Sequence, residues 1–162
     1  MNTSGAPLEA FEAVYRSRAA DFFRFALART SDPERARDAV QEGFARAIRK
    51  RTGFRGEGSI EAWVARCVIN AAHDLNQAAS LPASEVDGVR AEPASNLEEG
   101  SPIREALQRL PQRQRDALFL RYYLDFDYRA IAEALAVEVG TVSATLHAAR
   151  QSLANALQEV PR

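Results

Sequence analysis

The chain has 162 residues, 46% of them hydrophobic and 27% charged, a globular rather than a disordered composition. Its formal net charge of −1, from 21 Lys and Arg against 22 Asp and Glu, excludes a global basic field for indiscriminate nucleic-acid binding. One cysteine excludes an internal disulfide, and no long apolar run or charged leader suits a membrane span or signal peptide, so a cytoplasmic protein is expected.

Leu8, Phe11, Val14/Tyr15, Phe22 and Phe25/Ala26 recur at steps of three and four, which predicts an amphipathic helix ending near Thr30. Ser31, Asp32 and Pro33 then supply a cap and a first-turn proline for a second helix. Its apolar face carries Ala36, Val40, Phe44 and Ala47/Ile48, and its opposite face Asp38, Gln41, Glu42, Arg46 and Arg49. Three glycines within residues 52–58 require a loop, after which Ser59 caps a third helix. There Ile60, Trp63/Val64, Cys67, Ala71 and Leu75 are expected to point inward. Arg66, Asn70, His73 and Gln77, spaced four, three and four apart, form a polar stripe on another face.

Residues 80–102 hold three prolines and two glycines with few large apolar groups, and read as a linker. Acid is concentrated there: residues 81–103 carry one Lys or Arg against five Asp or Glu, whereas residues 1–80 carry 12 against 10. The chain restarts at Ile103, and Pro111 opens a segment in which Ala117, Leu118, Leu120, Tyr122 and Leu124 supply core. Asp127 caps a short helix with Ile131, Ala132 and Leu135 inward. A turn at 136–138 follows, then a last helix from about Gly140 to Leu157 burying Val142, Leu146, Ala149, Leu153 and Leu157.

The expected fold is therefore all-α, with two small helical domains (residues 1–79 and 103–162) joined by an acidic flexible linker at 80–102. Domains this small bury proportionally little surface, so a large partner is expected to complete their stability. Residues 128–149 fit a helix-turn-helix, although a plain helical hairpin fits the same pattern. In a helix-turn-helix the second helix enters the major groove N-terminal end first, exposing Thr141, Ser143, Ala144, Thr145, His147, Ala148 and Arg150. Hydroxyls there meet phosphates or base edges, and small apolar groups meet a thymine methyl. Arg150 is the lone Lys or Arg between Gly140 and Val160, so binding without help is expected to be weak.

Enzyme chemistry finds little support. Cys67 and His73 stand six apart on one helix and face different ways, and Cys67 reads as a packed thiol. One cysteine and two histidines offer no Cys/His zinc set, no Gly-rich phosphate cradle follows a strand, and neither metal nor cofactor is expected.

Three stretches together go beyond a generic hairpin. Residues 38–47 resemble the region-two helix of bacterial extracytoplasmic-function sigma factors. Residues 54–59, with Ala62-Trp63-Val64-Ala65-Arg66 and Asn70, resemble the family's next loop and helix. Residues 110–122 and 131–135, followed by Gly140-Thr141-Val142 and 146–150, resemble its region four. The resemblance implies a sigma factor that directs core RNA polymerase to specific promoters. Asp38, Gln41 and Glu42 would dock on the β′ clamp helices, although from the residues alone a solvated face fits equally well. Phe54, Arg55 and Ser59 of the loop, with Arg66, Asn70, His73 and Gln77, would engage the melted minus-ten element. Thr141, Ser143, Thr145, His147 and Arg150 would read the minus-thirty-five element, with this domain held at the β flap. The linker would enter the polymerase near its active centre, and an anti-sigma partner is implied.

Departures from the family pattern are plain. Relatives often place Lys or Arg where this chain has Ser143, Thr145, Ala148, Gln151 and Ser152, and they often turn basic where Asn76, Gln77 and Ala78 follow Asp74. Ala136 stands where a turn glycine is usual. A sigma-like adaptor that docks on polymerase without reading promoters remains the alternative.

Overall fold

The computed structural model describes residues 5–80 and 100–159, and the chain divides into two compact units, Met1–Ala94 and Ser95–Arg162. Most of the stretch read as an acidic linker lies outside the described residues. Every regular element among the described residues is helical.

In the first unit, α1 (Leu8–Thr30) ends where Ser31 turns left-handed and its N–H donates to the Leu27 carbonyl. The Asp32 carboxylate then accepts the N–H groups of Glu34 and Arg35, while Pro33 fills the first helical position, where no donor is needed. The Arg35 N–H above all holds the Asp32 carboxyl below its usual range. Helix α2 (Pro33–Arg49) thus starts where expected. A 3₁₀ turn at Arg51–Gly53 leads into the glycine loop, and Ser59 caps α3 (Ile60–Ala79) by accepting the Ala62 N–H.

The core joins Phe11, Phe22 and Phe25 of α1 to Phe44 of α2 and Val64 and Val68 of α3. Phe22 meets Phe44 edge-on, with centroids 5.8 Å apart, a favoured aromatic arrangement. Two residues expected inside are not: Leu8 is 51% and Tyr15 50% exposed. Leu8 opens the first turn of α1, while Tyr15 lays one edge on Phe44 and leaves its other side in solvent.

Helix α3 is rotated from its expected setting. Its buried face is Ala62, Val64, Ala65, Val68, Ala71 and Ala72, while Ile60, Trp63, Cys67 and Leu75 are only half-buried. Small side chains explain this, because they allow α3 to press against α2. A Cβ on Gly43 would lie 2.7 Å from Val68 Cα and 2.8 Å from Val68 N, so the helices touch backbone to backbone. The larger side chains border this seam instead of filling it. Trp63 reaches back across it and donates its indole N–H to the Ala47 carbonyl at 3.2 Å.

The second unit packs α4 (Pro102–Arg109), α5 (Gln112–Tyr122) and α6 (Tyr128–Leu135) on α7 (Val139–Gln158). Its core holds Leu110, Leu118, Leu120, Leu124, Phe126, Ile131, Val142 and Leu146. Tyr122, expected inside, is 60% exposed, and Leu135, Leu153 and Leu157 are half-buried. Asp127 caps α6 as expected, accepting the Ala130 N–H at 2.8 Å.

Helices α6 and α7 make the helix-turn-helix. The Ala136 N–H donates to the Glu133 carbonyl and the Val137 N–H to the Ala132 carbonyl, the paired bonds of a Schellman ending. This places Ala136 at φ 54°, where its Cβ is crowded and glycine would be at ease. Ala136→Gly is accordingly expected to stabilise the full chain by about 0.5–1 kcal/mol, relief of strain outweighing the added freedom of the unfolded chain. A urea titration reading that unit's transition checks the sign, and a loss of stability would refute the strain.

Candidate nucleic-acid interface

Three surfaces carry the residues singled out by spacing. The first is the outer side of α2. Asp38 and Gln41 are exposed there, while Glu42 is half-buried and already engaged. Its Oε1 accepts Arg46 Nε at 2.9 Å and Arg49 Nη2 at 3.1 Å, and these bonds, Arg46's first, hold its carboxyl below the ordinary range. Arg46 in turn donates Nη1 to Asp74 Oδ2 at 2.9 Å, bridging α2 to α3. So Asp38 and Gln41 form the open part of this surface, and Glu42 is the hub of an ion-pair chain. Exposed pairs of this kind add little stability, and the effect of the chain is chiefly geometric.

The second surface is the stripe on α3. Arg66, Asn70, His73 and Gln77 are all exposed along one face, as their spacing requires. Beside its N-terminal end, Phe54 meets Trp63 edge-on with centroids 5.6 Å apart, and both rings are half-buried. Arg55 is exposed in the loop, whereas the Ser59 hydroxyl is committed to its cap. Trp63, expected in the core, thus borders the stripe. Its distance of seven residues from Asn70 puts both on one side of the helix and was the available signal. Asn76, a departure from the family's basic pattern, donates Nδ2 to the Arg29 carbonyl at 3.0 Å and so covers a last-turn carbonyl of α1.

The third surface is α7. Thr141, Ser143, His147 and Arg150 are exposed and Thr145 is half-buried, while Val142, Leu146 and Ala149 face the core. Ser143, His147 and Arg150, four and three apart, line one shoulder of the helix; Thr141 and Thr145 line the other. Exposed Ala144 and Ala148 lie between them, so the middle of the face is shallow and apolar. Arg150 does not point freely outward. Its Nε donates to the Tyr122 hydroxyl at 2.7 Å, and its guanidinium sits 5.6 Å from the centroid of that ring.

No group of three or more His, Cys, Asp and Glu side chains suited to a metal ion occurs among the described residues. Burial pushes the Cys67 thiol up, against the weaker pull of Lys50, Arg66 and Arg46, which keeps it protonated and poorly nucleophilic. No helix among the described residues is long and apolar enough to cross a membrane.

Comparison with known families decides between a generic helical pair and something more specific. The family described as Sigma-70 region 2 matches residues 14–80, and that described as Sigma-70, region 4 matches residues 101–153. The ECF RNA polymerase sigma-E factor of Escherichia coli (strain K12) is 30% identical over 146 residues, covering 77% of this chain and 75% of that protein. The chain belongs to the extracytoplasmic-function sigma factors. The RNA polymerase sigma-H factor of Pseudomonas aeruginosa is likewise 30% identical over 149 residues, covering 81% of this sigma factor and 77% of that one. Two solved structures share the fold. The sigma factor RpoE in complex with the anti-sigma factor NepR from Bartonella quintana has a TM-score of 0.66 at 21% identity, covering 93% of this chain and 99% of that one. CnrH in complex with the cytosolic domain of CnrY has a TM-score of 0.70 at 19% identity, covering 98% and 94%. This sigma factor is thus a transcription-initiation factor that directs RNA polymerase to promoters.

Proposed function

We propose that this sigma factor divides promoter recognition between its two ends, with residues 1–79 docking on polymerase and reading the minus-ten element and residues 103–162 reading the minus-thirty-five element. Residues 80–102 join them. The observation that carries this reading is the α3 stripe: four polar side chains at helical spacing, all exposed, beside a half-buried aromatic pair. Asn70 and Gln77 each offer a donor and an acceptor to an unpaired base edge, and Arg66 and Arg55 offer charge to the strand. Phe54 and Trp63 give an unstacked base a π-face to rest on. Single-stranded DNA, not duplex, is the partner such a surface suits.

Asp38 and Gln41 contact the β′ clamp helices, and Glu42 sets the α2 surface by holding Arg46 and Arg49. In the second unit, Thr141, Ser143, Thr145, His147 and Arg150 face the upstream duplex, with the unit resting on the β flap. The protein acts without catalysis, metal or cofactor, in the cytoplasm with its polymerase. An anti-sigma factor restrains it, as one accompanies the sigma factor RpoE of Bartonella quintana described above.

One cation on α7 gives few phosphate contacts, so free-standing affinity for duplex promoter DNA is low. Tethering to polymerase compensates, because effective concentration makes weak contacts sufficient. At physiological salt the isolated chain is expected to bind promoter duplex no tighter than about micromolar. Adding core enzyme should give a stable, sequence-dependent complex. Fluorescence anisotropy measures both, and nanomolar binding by the isolated chain would refute the division of labour.

A further inference from the structure

Arg150 is the sole cation on the exposed face of α7, and its side chain is built into a cradle made by other elements. Tyr122, at the C-terminal end of α5, accepts its Nε–H at 2.7 Å and places its ring beneath the guanidinium at 5.6 Å. That tyrosine is 60% exposed, an unusual position for a large aromatic that contributes nothing to the core. Tyr128, the first residue of α6, completes the cradle. After that of Tyr122, its hydroxyl helps hold the Arg150 guanidinium's pKa above the ordinary value. Tyr128 is steadied in turn by Arg121, whose guanidinium lies 5.7 Å from its ring centroid while Nη1 donates to the Phe126 carbonyl at 3.1 Å.

An unrestrained arginine loses about 2 kcal/mol of rotamer entropy when it is pinned, and that cost weakens any contact made from the free state. Here the Tyr122 hydroxyl already holds Nε before DNA arrives. Nε is occupied by the phenol oxygen, which leaves the two terminal nitrogens for a ligand. A planar guanidinium presented in this way suits bidentate recognition of a phosphate.

We infer that Tyr122 is a positioning residue for promoter binding, fixing Arg150 so that its terminal nitrogens meet a backbone phosphate beside the groove occupied by α7. The inference rests on the proposed role of Arg150 at the upstream duplex. Tyr122 itself stays off the base edges, so its contribution is to register and affinity, not to sequence choice.

The test uses the full-length chain and a short mixed-sequence DNA duplex at low ionic strength, with affinity followed by anisotropy across a salt series. Arg150→Ala is expected to lower the slope of log affinity against log salt by about 0.9, the value of one phosphate contact. Tyr122→Ala should lower it by as much, Tyr122→Phe by less, and the double alanine variant no further than either single one. In the free chain, the Arg150 Nε–H resonance should exchange slowly with water and lose that protection in Tyr122→Phe. An unchanged slope in Arg150→Ala overturns the role of Arg150 itself. A slope lowered by Arg150→Ala but untouched by Tyr122→Ala, additive losses in the double variant, or equal Nε–H exchange with and without the hydroxyl overturns the positioning role alone. Circular dichroism confirms that each variant keeps its helices.

Discussion

Alanine at Gly43 is expected to lower the unfolding temperature of the first unit by roughly 10 °C, the consequence of about 2 kcal/mol of lost stability. Its added Cβ would meet Val68 Cγ2 at 2.5 Å, Cα at 2.7 Å and N at 2.8 Å. The side-chain atom can rotate away, but the two backbone atoms cannot, so α2 and α3 must separate. Separation loosens packing around the buried Ala39, Ala65 and Ala72, whose short side chains cannot follow a gap. Alanine's better helix propensity returns about 1 kcal/mol, which is why the effect is not larger. The control is Gly140→Ala in the first turn of α7, where a Cβ meets nothing within 4 Å. That variant should be neutral or slightly stabilised. Thermal melts of both read the contrast directly, and equal melting temperatures would contradict a backbone contact at Gly43.

Asn70→Ala is expected to reduce promoter opening by about tenfold or more while leaving closed-complex affinity nearly unchanged, because a side-chain contact to a base edge is worth about 1–3 kcal/mol. Asn70 lies on the exposed stripe of α3, where its amide can be satisfied by a base only after strands separate. Arg150→Ala should show the reverse pattern, weakening the closed complex through the upstream duplex while sparing the opening step once bound. Footprinting at low temperature measures the first quantity, and permanganate reactivity of unpaired thymines the second. Equal effects of both changes on closed-complex affinity would contradict the assignment of two DNA surfaces to two units.

Much of the architecture was legible because its determinants are local. Asp32 with Pro33, Ser59 before Ile60 and Asp127 before Tyr128 each announce a helix start, and each carboxylate or hydroxyl is found on the expected backbone donor. Exposure of the four stripe residues and of Ser143, His147 and Arg150 also followed from periodicity alone. What periodicity misread is which large apolar residue lies at the centre of a face and which at its edge. Size and apolarity alone point Trp63 and Leu75 inward. The seam is instead set by small residues, and Gly43 opposite Val68 draws the helices too close for an indole between them. Tyr122 departs from its expected burial for a related reason: its partner, Arg150, lies 28 residues away on another helix.

The same limit governed the candidate surfaces. Nothing in the spacing of Asp38, Gln41 and Glu42 distinguishes the one that is tied down. The distinction comes from Arg46, which links Glu42 on its own helix to Asp74 on the next. Ser59 is comparable, since spacing does not show that its hydroxyl oxygen is already held by the Ala62 N–H, which fixes it at the start of α3. In physical terms, local rules decide where a helix begins and which side is wet. Contacts between elements decide which exposed groups are free to meet a partner.

In the proposed division of labour, two units, each weak on DNA by itself, become a promoter reader once polymerase holds them. Run-off transcription with purified core enzyme and a pool of randomised promoters tests it most directly. Adding this chain is expected to produce transcripts from discrete start sites, enriched for two short elements separated by a constant spacing. Failure of core polymerase to bind the chain would contradict it. So would binding that yields no start site of its own and merely alters the output of another sigma factor.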